Sequence, residues 1–247
     1  MYRIIKKSFG TRSVKSIAEV DVDTKIDDFC FIADFGFVFI SCDYNAAGFV
    51  GLDGEVDFPW IEGLDNPVSF CYSEKNKSGF LIEDFGRTFQ QMDVISSSLT
   101  PCLGSVSQGR ANSFFKRIDK IVENGIGSVS SAIDDNGVMY EVNESLNRCF
   151  KIKGDSFEDW MGNGIPGYSV SNKLNNCYLR RPSGVACYFS DVYVCDSGNH
   201  CIRKSCGDSI FLVAGNPIKG GDRDGIGQNC LLTLPRKLRI KNGMGFF

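Results

Sequence analysis

Pro182-Ser183-Gly184-Val185-Ala186, Asp191-Val192-Tyr193-Val194-Cys195-Asp196, Cys201-Ile202-Arg203-Lys204 and Ile210-Phe211-Leu212-Val213-Ala214-Gly215 are four short apolar runs, each bounded by Gly, Asn, Asp or Ser. That pattern predicts four strands joined by tight turns. The segment before it repeats the plan. Leu179-Arg180-Arg181-Pro182 falls under Leu232-Thr233-Leu234-Pro235 at an offset of 53, and Met161-Gly162-Asn163-Gly164-Ile165-Pro166-Gly167 falls under Ala214-Gly215-Asn216-Pro217-Ile218-Lys219-Gly220 at the same offset. Between them, Glu144-Ser145-Leu146-Asn147-Arg148-Cys149-Phe150-Lys151 matches Asp196-Ser197-Gly198-Asn199-His200-Cys201-Ile202-Arg203 at an offset of 52.

A repeat of about 40–50 residues made of short strands and glycine turns predicts a radial array of small sheets, an all-β propeller. Walked backwards, a copy runs from Ile118 to Gly162, with Asp135-Asn136-Gly137 as a hairpin turn. Weaker copies run from Pro67 to Gly104, with Phe80-Leu81-Ile82-Glu83-Asp84, and from Ile26 to Gly63, with Val38-Phe39-Ile40-Ser41-Cys42-Asp43. Unit starts at Ile26, Pro67, Ile118, Pro182 and Pro235 predict five blades, or six if one of the long units hides a further hairpin. The extra length of the third unit falls near Gly104–Phe115 or Gly167–Tyr178. Ile5-Lys6-Lys7-Ser8-Phe9-Gly10 matches Ile202-Arg203-Lys204-Ser205-Cys206-Gly207, and Ser16-Ile17-Ala18 would follow as a fourth strand. Pro235 to Phe247 supplies a first strand and part of a second. Each end is half a unit, so the closing blade is expected to form from both termini of one domain, residues 1–247, which leaves no open sheet face.

Composition agrees with this plan. Of 247 residues 43% are hydrophobic, and 27 glycines against seven prolines suit many tight turns. Met1 to Ser8 has no apolar core of a secretory leader, and the most apolar run, Phe29 to Ile40, is interrupted by Asp34 and too short for a bilayer. The expectation is a chain made in the cytoplasm, without a membrane partner. Eleven cysteines include no pair two residues apart, the closest being Cys201 and Cys206, so neither a zinc ribbon nor a finger can be assembled. Cys42, Cys195 and Cys201 fall on strand positions as small hydrophobes, and no disulfides are expected.

The order Pro-Ser-Gly-Val-Ala (182–186), Val-Tyr-Val-Cys-Asp-Ser-Gly-Asn-His-Cys-Ile-Arg-Lys (192–204), Val-Ala-Gly-Asn (213–216), Gly-Gly-Asp-Arg-Asp-Gly-Ile-Gly (220–227) and Leu-Pro (234–235) resembles the NHL repeat. The namesake triplet is Asn199-His200-Cys201, with Cys in place of the usual Leu. The resemblance implies a propeller blade and says little of chemistry, because such propellers host protein docking, RNA binding and several enzymes.

His200 is the only histidine, and a catalytic zinc takes about three protein ligands among which histidine is prominent. It reads better as a turn residue than as a ligand or a base. Gly220 to Gly227 is not followed by the helix a phosphate cradle needs, and lacks the late Glu of a calcium loop. No catalytic residue, metal or cofactor is therefore expected. Charge is the stronger clue. Arg3, Lys6, Lys7, Arg12 and Lys15 lie in residues 1–18 and Arg236, Lys237, Arg239 and Lys241 in residues 235–247, with no acid in either stretch, whereas the chain as a whole has 27 basic and 30 acidic residues. Gathered on one closing blade, these nine cations would be a docking surface for an acidic protein. A nucleic acid is the weaker alternative, with Tyr2, Phe9, Phe246 and Phe247 as stacking candidates and a pI near 5.3 against it. The function expected from sequence is a non-enzymatic interaction or structural module, a protein-docking subunit of a larger assembly such as a phage virion. The alternatives are a hydrolase or lyase acting at a central channel and an RNA-binding domain.

Overall fold

The computed structural model describes residues 2–7, 14–20, 25–83, 88–103, 129–153, 156–169, 173–241 and 244–246. The chain divides into two compact units, Met1–Cys102 and Leu103–Phe247, each taken by itself below.

In the first unit β1 (Tyr2–Lys7) and β2 (Val14–Val20) form an antiparallel two-stranded sheet, with a bulge between Ile4 and Ile5. Two four-stranded antiparallel blades follow. The first is β3 (Asp28–Ile32), β4 (Gly36–Ser41), β5 (Ala46–Gly51) and β6 (Val56–Ile61). The second is β7 (Ser69–Ser73), β8 (Ser78–Glu83), β9 (Thr88–Asp93) and β10 (Ser98–Leu103). Val38, Ile40 and Ala47 of one blade pack against Phe70, Leu81 and Met92 of the next, closing an apolar layer between two pleated faces. Strand alternation puts Phe37, Phe39 and Val50 on the other face.

The second unit repeats this. The third blade is β11 (Val129–Ile133), β12 (Met139–Asn143), β13 (Arg148–Lys153) and β14 (Ser156–Met161). The fourth is β15 (Pro182–Tyr188), β16 (Asp191–Asp196), β17 (Cys201–Cys206) and β18 (Ser209–Gly215). The chain ends in a second two-stranded sheet, β19 (Arg239–Lys241) with β20 (Met244–Phe246). Val142, Cys149 and Met161 pack on Val185, Val192 and Val194, and Leu179 and Cys177 of the connecting loop seal the layer. On the far face of the fourth blade, Ala186, Cys195 and Ile202 pack against Leu238, with Ile240 against the same cluster.

The count of five blades is corrected: among the described residues four blades are complete. The closing blade expected from both termini is corrected as well, because β1–β2 and β19–β20 are each two-stranded sheets of their own. The residue pattern identified all four of these strands. It did not carry information on whether one hairpin's edge pairs with the other's. The predicted turn at Asp135-Asn136-Gly137 is present: Asp134 accepts the Gly137 N–H at 3.1 Å, and Gly137 adopts φ of 74°. Gly104–Phe115 and the start of the third unit at Ile118 lie outside the described residues. The cysteines whose side chains are described are free thiols, most of them buried. No helix is long and apolar enough to cross a membrane among the described residues.

Candidate functional site

The first, third and fourth blades turn from their second strand to their third through four residues, and the sequence match at this corner shifts by one. Asn143 and Asp196 each end a second strand, while Asn147 (φ 53°) and His200 (φ 54°) are the left-handed residues that open the third. The offset is therefore 53 throughout, and Asn147, not Arg148, is the counterpart of His200. Asn45 (φ 49°) is the same residue in the first blade. Left-handed backbone favours Asn among residues with a side chain, because its short amide bonds locally.

This places the lone histidine. Asn45 Oδ1 accepts the Asn66 N–H at 3.1 Å, Asn147 Oδ1 accepts the Arg181 N–H at 2.9 Å, and His200 Nδ1 accepts the Leu234 N–H at 3.3 Å. Asn66, Arg181 and Leu234 are themselves left-handed, with φ of 46°, 50° and 47°, and each precedes the proline that enters the next unit. His200 thus performs the task of an asparagine, tying one unit's corner to the entry of its successor. Its ring lies against Gly220, where a Cβ would come within 2.9 Å of it.

Around His200 the fourth blade has a buried polar network. Asp196 and Arg203 are both fully enclosed, 3.4 Å apart. Asp196 accepts the Arg180 N–H at 2.7 Å and the Asn199 amide at 2.9 Å. Arg203 donates to the carbonyls of Tyr178 (2.9 Å) and Ser169 and stacks 4.8 Å from the Tyr168 ring. Asn199 also reaches the Gly167 carbonyl at 2.7 Å. Burial pushes the Asp196 carboxyl up to about 6 against the opposing pull of the Arg180 N–H, Asn199 and Arg203. A carboxylate with these partners is committed to holding the loop between Met161 and Pro182. Ser183 and Ser197 similarly bond each other and the Pro235 carbonyl.

The glycine-rich segment is scaffold too. The Arg223 guanidinium donates to the Asn229 carbonyl at 2.8 Å, Arg223 pairs with Leu231 through the backbone, and a Cβ on Gly225 would strike the Asn229 backbone at 2.7 Å. The glycines are needed for close approach of the chain to itself. Among the described residues no group of three or more His, Cys, Asp or Glu side chains is placed to hold a metal ion.

The basic residues singled out from sequence fall in two places. Arg3, Lys6 and Lys7 are on β1 and Lys15 on β2; the register sets Lys6 opposite Lys15 and Arg3 opposite Glu19. Arg12 lies outside the described residues. In the second unit Arg239 and Lys241 are on β19, Lys237 is left-handed (φ 53°), and the half-exposed Arg236 lies 3.8 Å from Glu144, which Arg181 also binds at 2.7 Å. The sequence reading missed Asp196, Arg203 and Asn199 as a unit. Their signal was an acid ending one strand and an arginine seven residues on, across a four-residue turn.

No family model matches the chain, and no curated protein matches it. Solved structures do. An auxiliary nutrient binding protein from Bacteroides thetaiotaomicron superposes with a TM-score of 0.71 at 12% identity, over 98% of this chain and 59% of that one. A chain of a nidogen/laminin complex gives 0.63 at 11% identity, over 96% and 78%. Virginiamycin B lyase from Staphylococcus aureus gives 0.52 at 12%, over 85% and 62%. The chain spans less than two thirds of the nutrient-binding and lyase chains. At such identities the likeness concerns architecture alone, and it agrees with the sheet topology: the chain has the all-β propeller fold, with four complete blades among the described residues.

Proposed function

We propose that this protein is a non-enzymatic binding module of the NHL type, which docks an acidic protein partner through its basic terminal hairpins. One observation carries the reading: His200, Asp196, Arg203 and the Gly220–Gly227 turn, the groups best suited to chemistry, are all engaged in fixing loops. The recurring left-handed corner and proline entry support the NHL assignment. The gathering of Arg3, Lys6, Lys7 and Lys15 on β1 and β2 supports the acidic partner. The similar solved folds include a nutrient binding protein and a chain of a nidogen/laminin complex, which is consistent with a binding role for this one.

The test begins with whatever co-purifies with the untagged chain. Reversal of Lys6, Lys7, Arg236 and Lys237 to Glu should weaken that complex at least about ten-fold and flatten its salt dependence. Undiminished binding by a folded variant would remove the charge reading. Stoichiometric bound metal, or turnover in an ester and lactone screen, would instead favour the enzyme alternative represented by the lyase neighbour. Salt-sensitive retention of RNA on a filter would favour the nucleic-acid alternative.

A further inference from the structure

Asparagine followed by glycine occurs at Asn124, Asn136, Asn163 and Asn242, and the Asn136 and Asn163 pairs lie among the described residues. Such a pair is open to chemistry, because glycine has no Cβ to shield its nitrogen from the side-chain amide carbon before it. The fold treats the two pairs differently. In the hairpin turn the Gly137 N–H is engaged, donated to the Asp134 carbonyl at 3.1 Å. The Gly164 N–H donates to no group among the described residues. Asn163 Oδ1 instead accepts the Ile165 N–H at 2.9 Å. That bond closes an Asx turn, which folds the amide carbon Cγ back over the Gly164 nitrogen and draws electrons from it. A cation stands beside the pair. Arg148, held by Asp159 at 2.9 Å, donates to the Asn163 carbonyl at 2.8 Å, and a Cβ on Gly164 would come within 2.9 Å of its Nε. A guanidinium so placed favours the anionic form of the Gly164 amide nitrogen. Asn216, the counterpart in the fourth blade, closes the same turn by accepting the Ile218 N–H at 3.0 Å, but it is followed by Pro217, which has no N–H to lose.

We propose that Asn163–Gly164 is a self-modification site of this protein. The Gly164 nitrogen gives up its proton and bonds to Asn163 Cγ. The Cγ–Nδ2 bond breaks, and ammonia leaves with that proton, so the two residues close into a succinimide ring. Solvent water then opens the ring. Opening at Cγ leaves aspartate at position 163, and opening at the main-chain carbonyl leaves isoaspartate. No oxidant or second protein takes part. Both products put an anion beside Arg148. Isoaspartate also adds a methylene to the main chain where the Gly162 and Asn163 N–H groups bond the Leu174 and Cys177 carbonyls at 3.0 Å, and so loosens the Met161–Pro182 connection. The inference is independent of the docking reading.

Incubation of the full chain at neutral pH, followed by peptide mass spectrometry, tests it. The product is a gain of one mass unit at a named asparagine, with isoaspartate resolved by its chromatographic shift. In urea, where no turn survives, Asn136 and Asn163 should convert at similar rates. In the folded chain Asn163 should convert at least as fast as in urea, while Asn136 falls behind it at least about ten-fold. Arg148→Gln should slow the Asn163 conversion several-fold, and Asn163→Asp should abolish the mass gain there with the circular dichroism of the parent. Asn216 should stay intact throughout. A folded chain that protects Asn163 as well as it protects Asn136 overturns the proposal. An Arg148→Gln protein that converts as fast as the parent overturns the part given to the guanidinium.

Discussion

The corners of the first and fourth blades have the same backbone and opposite chemistry. In the fourth, the second strand ends in Asp196 and the third strand's third residue is Arg203; in the first, those positions are Ser41 and Gly48. The second blade is intermediate, with Glu83 accepting from Gln90 and from the Asp65 N–H at 2.9 Å. The third has Asn143 and Phe150. What differs is the load. Arg203 holds the long connection after Met161 by two carbonyls and a tyrosine ring. In the first blade Asp27 accepts the Cys42 N–H at 2.9 Å and pairs with the exposed Lys25, and the Phe39 ring fills the space beside Gly48. A buried ion pair appears where irregular chain must be fixed, and an aromatic over a glycine suffices where it need not be.

The largest effect should come from breaking the ionic corner. Arg203→Met leaves Asp196 enclosed without its cation and should cost about 3–5 kcal/mol in urea unfolding. Exchange of amides in the Met161–Pro182 connection should rise with it. Adding Asp196→Asn to that variant should recover a large part of the loss, because the second change removes the stranded charge. If Arg203→Met costs no more than a change in the first blade, the contrast between the corners fails. That change is Gly48→Ala, whose Cβ would sit 2.0 Å from the Phe39 ring. Overpacking there should cost about 1–3 kcal/mol, and Phe39→Leu beside it should restore room. Exchange in the Met161–Pro182 connection should be unmoved in both.

The same corners show how much was legible in the sequence. Alternating apolar runs and glycine turns located the strands of the fourth blade within a residue or two, since period-two burial is imprinted on composition. The repeat placed the corner one residue off, because Asp196 and Glu144 are both acids and residue type outweighed backbone position. The blade count failed for a physical reason. Pairing between the two ends of a chain is a long-range contact, and neither hairpin's residues specify what lies at its edge. Among the candidate residues His200 was read correctly as a turn residue, yet the Asn45–Asn147–His200 series emerges only from shared left-handed torsions. Arg203 was not seen as buried, because nothing within Cys201-Ile202-Arg203-Lys204 distinguishes it from the partly exposed Lys204 beside it, and the acid seven residues earlier went unused.

The third blade sharpens the contrast by pH. Glu141 on β12 occupies the position of Val194, Leu81 and Phe39 in the other blades, and pairs across the ladder with Phe150. Burial pushes its carboxyl up to about 8 from 4.5. The folded state therefore holds a proton that the unfolded state releases, so stability should fall as pH rises from about 4.5 to 8. For one proton the slope is no steeper than about 1.4 kcal/mol per pH unit. Glu141→Leu should flatten this part of the profile and stabilise the protein most at pH 8. Urea midpoints at pH 5 and 8 decide it, and an unchanged slope would assign the titration to another group.

The smallest expected effect concerns His200. As a left-handed residue whose ring nitrogen accepts one backbone N–H, it is replaceable by the residue used in the first and third blades. His200→Asn keeps both the torsion and the acceptor for Leu234, so stability should stay within about 0.5 kcal/mol. His200→Ala loses the acceptor and strains a left-handed position, and should cost about 1–2 kcal/mol. Partner binding should survive His200→Asn intact. A variant that unfolds no more easily yet loses binding would show that the imidazole touches the partner, and would separate the fourth corner from its two asparagine counterparts by function and not only by structure.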